Sequence, residues 1–198
     1  AFNGEDLPDY SAAGIYKTDI ASPDDKEDLF GSIRAVVNSK YTFDAMYSRK
    51  MHNIPEDDIQ PGIILQERVK LDENDYKFTL YTDDKKGNLK IDLYSHKEWL
   101  YDGITNPHVF TYNKKTGELT YDYIQLETPV AKYNEKQELQ SIEPAEHDLS
   151  DKKELFEQLK KVAENAITVE KEFGHPQDIE GGIKGDNIYF WQSRNIVR

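Results

Sequence analysis

Four residues near the C-terminal end have the types and spacing that phosphate chemistry with a hard metal ion needs: Asp178, Glu180, Gln192 and Arg194. Side chains alternate along a strand, so Asp178 and Glu180 share one face of the run Gln177–Ile183. By the same rule Ile188, Phe190, Gln192 and Arg194 share one face of the run that follows. The turn between the runs decides whether the two sets meet. A three-residue loop, Gly185-Asp186-Asn187, puts Glu180 opposite Gln192 and Asp178 opposite Arg194 on one face. A two-residue loop pairs Glu180 with Trp191 and sends Gln192 to the other face. The odd-numbered loop is the expectation. It gathers carboxylate and amide oxygens that suit Mg²⁺, which takes one or two protein groups plus substrate phosphates. Beside them a guanidinium offers a planar fork to phosphate oxygens. Metal neutralisation and a fixed cation are what phosphoryl transfer asks of a protein. Mixed-charge pairs across an exposed hairpin are also an ordinary structural feature, so the pattern alone leaves both readings open.

The elements that must position these residues are legible in outline. Ala1 to Ile20 reads as a loop. Ser22-Pro23-Asp24-Asp25 reads as a helix start with Ser22 as N-cap, followed by Leu29, Ile33, Val36 and Val37 at helical spacing. Pro55-Glu56-Asp57-Asp58 lacks the ligand spacing of a Ca²⁺ loop and reads as a solvated helix start. Gly62–Val69 reads as a strand. Two hairpins follow, Tyr76–Thr82 with Leu89–Tyr94 and Val109–Tyr112 with Leu119–Ile124, each with glycine in a polar turn. Lys132–Glu146 is charged and unpatterned and reads as a surface loop. Leu155, Leu159, Val162, Ala166, Val169 and Phe173 then repeat at helical spacing, with Ser150 as cap and Gly174 and Pro176 as the stop. Helices and antiparallel strands without a βαβ rhythm predict an α+β fold. In the run Tyr189-Phe190-Trp191, stacking on bases or sugars is weighed against core packing, and packing is expected.

Composition bounds the function. The chain has 198 residues, 32% of them charged, with a net charge of −13. That balance argues against nucleic acid or an anionic membrane as partner, since both need concentrated Lys and Arg. The absence of cysteine removes disulfides and thiolate metal sites. No apolar run approaches the ~18 residues of a membrane span. None of the histidines (His52, His96, His108, His147, His175) shows metal-ligand spacing. Ser/His/Asp catalysis has no nucleophile-elbow motif.

The segment Glu172-Phe173-Gly174-His175-Pro176-Gln177-Asp178-Ile179-Glu180-Gly181, followed by Ile188-Tyr189-Phe190-Trp191-Gln192-Ser193-Arg194, resembles the close of the ATP-grasp domain in the pyruvate phosphate dikinase and phosphoenolpyruvate synthase family. The Glu-to-Gln and Gln-to-Arg spacings both match. The resemblance implies that Glu180 and Gln192 hold the metal ion and that Arg194 contacts the terminal phosphates as the catalytic arginine. Asp178 stands behind the metal ligands. The opening Asn3-Gly4-Glu5-Asp6-Leu7-Pro8-Asp9-Tyr10-Ser11-Ala12-Ala13-Gly14-Ile15-Tyr16 resembles the family's phosphate loop, which nominates Ser11, Gly14 and Thr18 as phosphate contacts. The wording of both ends is most similar to the glucan, water dikinase branch. Asp102-Gly103-Ile104-Thr105-Asn106-Pro107 and Lys115-Thr116-Gly117-Glu118 resemble family landmarks more faintly. Departures are Asn195 after Arg194, where the family has proline, and His96-Lys97-Glu98-Trp99 in place of a glycine-rich segment.

From this resemblance the chain is expected to be the C-terminal portion of an ATP-grasp domain. Residues 1–70 would be a phosphate-loop and helical segment, and residues 71–198 a β-rich segment with a long helix and a terminal metal-site hairpin. The cofactors implied are ATP and Mg²⁺. The partners implied are an N-terminal ATP-grasp lobe carrying the nucleotide lysine, and a phosphohistidine domain of the same protein. The intact parent would be a cytoplasmic kinase, or a plastid one in a plant-type parent, passing phosphate to an α-glucan or to pyruvate, with this chain alone inactive. The second reading is a non-catalytic ATP-grasp remnant that serves folding or association.

Overall fold

A computed structural model describes residues 6–7, 10–12, 14–56, 59–60, 62–72, 75–95, 107–122, 128–133, 139–145 and 149–196. In chain order the elements are β1 (Asp6–Leu7), β2 (Tyr10–Ser11), α1 (Lys26–Asn38), α2 (Phe43–Met51), β3 (Tyr76–Tyr81), β4 (Asn88–Ser95), β5 (His108–Asn113), β6 (Leu119–Asp122), β7 (Thr128–Tyr133), β8 (Leu139–Ala145), α3 (Lys153–Phe173), β9 (Gln177–Lys184) and β10 (Asn187–Asn195). They form an α+β structure in two units that divide between Arg68 and Val69.

The second unit is built on an antiparallel sheet of six strands in the order β10-β9-β3-β4-β5-β6. Alternation sends Phe78, Leu80, Leu89, Ile91, Leu93, Phe110, Ile179 and Ile183 to one face. There α3 covers them with Leu155, Leu159, Val162, Ala163 and Ala166, all buried at helical spacing. Each fully buried aliphatic or aromatic side chain contributes roughly 1.5–3 kcal/mol. Aromatic contacts knit the layer, with Phe78 edge-on to Phe190 at 5.8 Å and Phe110 stacked on Tyr121 at 4.7 Å. The helix ends at Gly174, whose N–H returns to the carbonyl of Glu170 at 2.9 Å. The other face of the sheet is polar, and it carries the candidate residues.

In the first unit Asp25 caps α1, accepting from the N–H groups of Glu27 (2.9 Å) and Asp28 (3.2 Å). The expected cap, Ser22, stands too early, because Asp25 is the residue whose carboxylate reaches those two N–H groups. The β1–β2 pair turns the opening loop into a small ladder, Asp6 opposite Ser11 and Leu7 opposite Tyr10. Arg49 of α2 is 1% exposed. It grips Glu56 through Nη2–Oε1 at 2.7 Å and donates to the Lys40 carbonyl at 2.6 Å. Glu56 begins a helical turn, with the Ile59 N–H on its carbonyl at 3.4 Å, and its half-exposed carboxylate also anchors a buried arginine; Asp57 and Asp58 lie outside the described residues. Burial opposes the Arg49 charge, but the Tyr16 and Glu56 contacts outweigh it and raise its pKa.

Three further expectations are corrected. Gly62–Val69 forms no strand, because none of the described residues pairs with it; Ile64 and Leu65 are 74% and 68% exposed. Lys132–Glu146 is not a plain loop, since Lys132 and Tyr133 end β7 and Leu139–Ala145 form β8, paired from Thr128↔Ala145 to Tyr133↔Leu139. Backbone pairing needs no apolar alternation, so the charged composition concealed it. The α3 cap position is Lys152, with no side-chain capping bond, and not Ser150. The second hairpin's outer strand is described over Leu119–Asp122, and its expected end, Tyr123 and Ile124, lies outside the described residues. Also outside them lie residues 96–106, with His96-Lys97-Glu98-Trp99 and Asp102–Asn106, and His147.

Candidate functional site

The turn between β9 and β10 is not the expected three-residue loop. Lys184 pairs with Asn187, leaving Gly185 and Asp186 as a two-residue turn, with Gly185 at φ 54. A positive φ at the first turn position is what glycine supplies and what a tight hairpin of this length requires. Carried on without interruption, that register would set Glu180 against Trp191. It does not continue. After Phe190↔Gly181 the ladder slips by one residue, and Gln192 pairs with Glu180, Ser193 with Ile179, and Arg194 with Asp178. Trp191 is the extra residue of a β-bulge. The expected pairs are therefore met through an even turn and a bulge.

The bulge also corrects the expectation that Ile188, Phe190, Gln192 and Arg194 share one face. Ile188 and Phe190 pack against the apolar core under α3. Past Trp191 the alternation reverses, so Gln192 and Arg194 join Glu180 and Asp178 on the polar face. Two glycines allow the strands to approach here. A Cβ on Gly181 would stand 2.3 Å from Phe78 Cζ and from the Tyr189 carbonyl oxygen. One on Gly182 would stand 2.7 Å from the Trp191 ring. Upstream, buried Gln177 fixes the start of β9. Its N–H donates to Thr82 Oγ1 at 2.8 Å, and its side-chain oxygen accepts from Ser193 Oγ at 2.7 Å.

Strand pairing extends the site across the sheet as two rows. One runs Arg194, Asp178, Tyr81, Lys90, Thr111 and Thr120; the other runs Gln192, Glu180, Thr79, Asp92, Val109 and Asp122. Arg194 donates Nε–H to Asp178 Oδ2 at 2.9 Å, and its Nη2 lies 2.8 Å from the same oxygen. Asp178 is 8% exposed, and its Oδ1 is buried without a hydrogen-bond partner among the described residues. The Glu180 carboxylate and the Gln192 amide make no side-chain hydrogen bond with any other described residue. Lys90 Nζ lies 2.9 Å from Asp92 Oδ1. Tyr81 is half-buried beneath these groups, and its pKa is raised, first by burial and then by the charges of Asp178 and Asp92, with Arg194 opposing.

Glu180 and Gln192 could hold a magnesium ion only with help from a ligand. Among the described residues no three carboxylate or imidazole groups converge on a ready-made metal cage. Two adjacent uncommitted oxygens, on Glu180 and Gln192, are what a cation that also takes phosphate oxygens and waters asks of a protein. The unpartnered Oδ1 of Asp178 beside them suits a donor from such a water. Ser11, Gly14 and Thr18 belong to the first unit. Ser11 closes β2, and Gly14 sits in a turn at φ 75 closed by the Ile15 N–H on the Ala12 carbonyl at 3.0 Å. Thr18 is exposed. Tyr81, Gln177 and Asp92 went unnoticed in the sequence, because strand pairing between distant segments brings them to this face. Among the described residues no helix is long and apolar enough to cross a membrane.

Comparison with known proteins gives one family. Residues 3–198 match the family described as the pyruvate phosphate dikinase AMP/ATP-binding domain. The chain is 25% identical over 98% of its length to a probable phosphoenolpyruvate synthase of Archaeoglobus fulgidus, covering 26% of that protein. It is 24% identical over 98% of its length to one of Methanocaldococcus jannaschii, covering 16%. A phosphoenolpyruvate synthase of Deinococcus radiodurans is 26% identical over 96% of this chain, with 26% of its own length covered. The chain thus spans about a quarter or less of each of these three relatives.

Proposed function

Because the chain belongs to the pyruvate phosphate dikinase AMP/ATP-binding domain family, we propose that it is the ATP-binding part of a phosphotransferase that moves phosphate from ATP to a histidine on a neighbouring domain. The observation that carries this is the bulged hairpin, which sets Glu180 beside Gln192 and Asp178 beside Arg194 on one polar face. Glu180 and Gln192 would hold the metal ion of the nucleotide. A magnesium ion there supplies charge neutralisation at the phosphates. Arg194 presents its fork to the terminal phosphate oxygens, where charge builds during transfer. Asp178 fixes the guanidinium through Nε and Nη2 and thereby sets the direction of that fork. Ser11, Gly14 and Thr18 are proposed as further phosphate contacts.

The rest of the parent would supply an N-terminal lobe with the nucleotide lysine and the phosphohistidine domain, so the isolated 198 residues should bind ATP weakly. For the final acceptor, the names of the relatives favour pyruvate. The wording of Ser11-Ala12-Ala13-Gly14 and Gln177–Gly181 favours an α-glucan, as in the glucan, water dikinase branch. Offering each acceptor to the phosphorylated parent separates the two.

The test of the site is single-turnover transfer from γ-labelled ATP in the intact parent, across a magnesium series. Arg194→Lys keeps the charge and loses the planar fork. It should slow phosphohistidine formation by about a hundredfold or more, the usual loss for one transition-state contact, with a much smaller effect on nucleotide binding. Glu180→Gln should raise the magnesium requirement and be partly rescued by added metal. Wild-type transfer by Arg194→Lys would favour the non-catalytic remnant instead.

A further inference from the structure

We propose that Tyr81 is an additional ligand-contacting residue of this site, its phenol O–H donating to a phosphate oxygen of the nucleotide held by Glu180, Gln192 and Arg194. The inference rests on the reading of the preceding subsection and adds a residue from a third strand. Tyr81 stands directly opposite Asp178 across β3–β9 and opposite Lys90 across β3–β4. Its hydroxyl lies in the field of Asp178 and Glu180 from β9, Asp92 from β4 and Arg194 from β10. A half-buried tyrosine hydroxyl ordinarily finds a hydrogen-bond partner, yet this one makes none with any described residue.

Its neighbour Asp178 has the complementary deficit, because Oδ1 is buried and has no partner among the described residues. The two do not satisfy each other, although one is a donor and the other an acceptor. A ligand that brings an acceptor to Tyr81 and a donor to Asp178 satisfies both. A hydrated metal–phosphate group has both parts: phosphate oxygens accept, and the waters that magnesium retains donate. Adenine or ribose alone would not explain why the unpaired phenol sits in the row that contains Arg194.

The experiment uses the intact parent polypeptide and three probes: Mg-ATP, Mg-tripolyphosphate and adenosine. Binding is measured by calorimetry, or by displacement of labelled ATP, for wild type, Tyr81→Phe and Glu180→Gln. Tyr81→Phe should weaken Mg-ATP and Mg-tripolyphosphate alike, by about tenfold to a hundredfold, the range for a hydrogen bond to a charged group. It should leave adenosine unchanged. Its melting temperature should not fall, because removing a hydroxyl that bonds to no described residue costs the fold little. Wild-type affinity of Tyr81→Phe for Mg-ATP, with Glu180→Gln impaired, overturns the Tyr81 proposal and leaves the site standing. A loss shared equally by adenosine overturns the phosphate contact. Failure of the wild type to bind Mg-ATP overturns the site reading itself, and this proposal with it.

Discussion

β3–β4 and β9–β10 lie side by side in one sheet and handle the same alternation differently. In β3–β4 the residues pair one for one from Tyr76↔Ser95 to Tyr81↔Lys90. Apolar Phe78 and Leu80 stay on one side throughout, as do polar Thr79 and Tyr81 on the other. In β9–β10 the ladder slips once, at Trp191. Before the slip, every second residue of β10 faces the helix-covered core; after it, the same count reaches the polar face. One extra residue thus lets a single strand supply Ile188 and Phe190 to the core and Gln192 and Arg194 to the polar face that carries the candidate site. Bulges re-aim side chains in this way near functional sites. The regular hairpin is a scaffold, whereas the bulged one does two jobs.

Deletions break the comparison most sharply. Removing Asp92 from β4 throws half of that strand out of phase and turns Ile91 or Leu93 toward the polar face. We expect loss of cooperative unfolding by circular dichroism. Removing Trp191 should instead leave a regular ladder, with Gln192 still opposite Glu180, and retain a cooperative transition. If both deletions behave alike, the bulge is not the spare residue described.

Gly181→Ala ranks next. Its Cβ would meet the Tyr189 carbonyl oxygen, which is backbone and cannot swing aside. A loss of about 1–3 kcal/mol in urea unfolding is expected, as for other overpacked sites. A neutral result would mean that the two strands can part more readily than their spacing suggests.

The smallest effect concerns the β3–β4 loop. Asp84 Oδ1 accepts from the N–H groups of Lys86 (2.7 Å) and Asn88 (3.0 Å). Slight burial raises its pKa, but those bonds outweigh it and leave the value below its ordinary 3.8. A depressed carboxylate stabilises the fold above its unfolded pKa, and that contribution disappears as pH falls through the folded value. Asp84→Asn should therefore cost little more than about 1 kcal/mol at neutral pH. The difference from wild type should shrink below pH ~4. A constant difference down to the acid limit would show that the carboxylate charge is irrelevant to the loop.

The parts of the fold set by short-range pattern were readable. The apolar period of α3 and the alternation of β3, β4, β5 and β9 place those elements without help from distant segments. The site pairs were also expected, but for the wrong reason. An odd turn was invoked where the chain uses an even turn and a bulge. The signal for the bulge was present: Ile188 and Phe190 have core chemistry, Gln192 and Arg194 are the candidate site residues, and strict alternation would put all four together. Tyr81 could not be placed that way. In the strand Tyr76–Tyr81 it reads as one more aromatic, and only the long-range β3–β9 pairing sets it against Asp178. β7 and β8 escaped notice because each holds a proline and neither carries a strict apolar alternation to read.

The central claim is that the slip at Trp191 makes Gln192 a metal ligand and leaves Ser193 facing the core side. Titration of Mn²⁺ into the intact parent with ATP present, followed by electron paramagnetic resonance, tests it directly. Gln192 is exposed, so Gln192→Ala should leave the fold intact. It should weaken Mn²⁺ binding by about tenfold or more, at least the loss seen when a residue behind a metal ligand is removed. Ser193→Ala, one residue along and on the other face, should leave Mn²⁺ affinity unchanged. Equal affinity for Gln192→Ala and wild type, or an equal loss in both variants, would contradict the account.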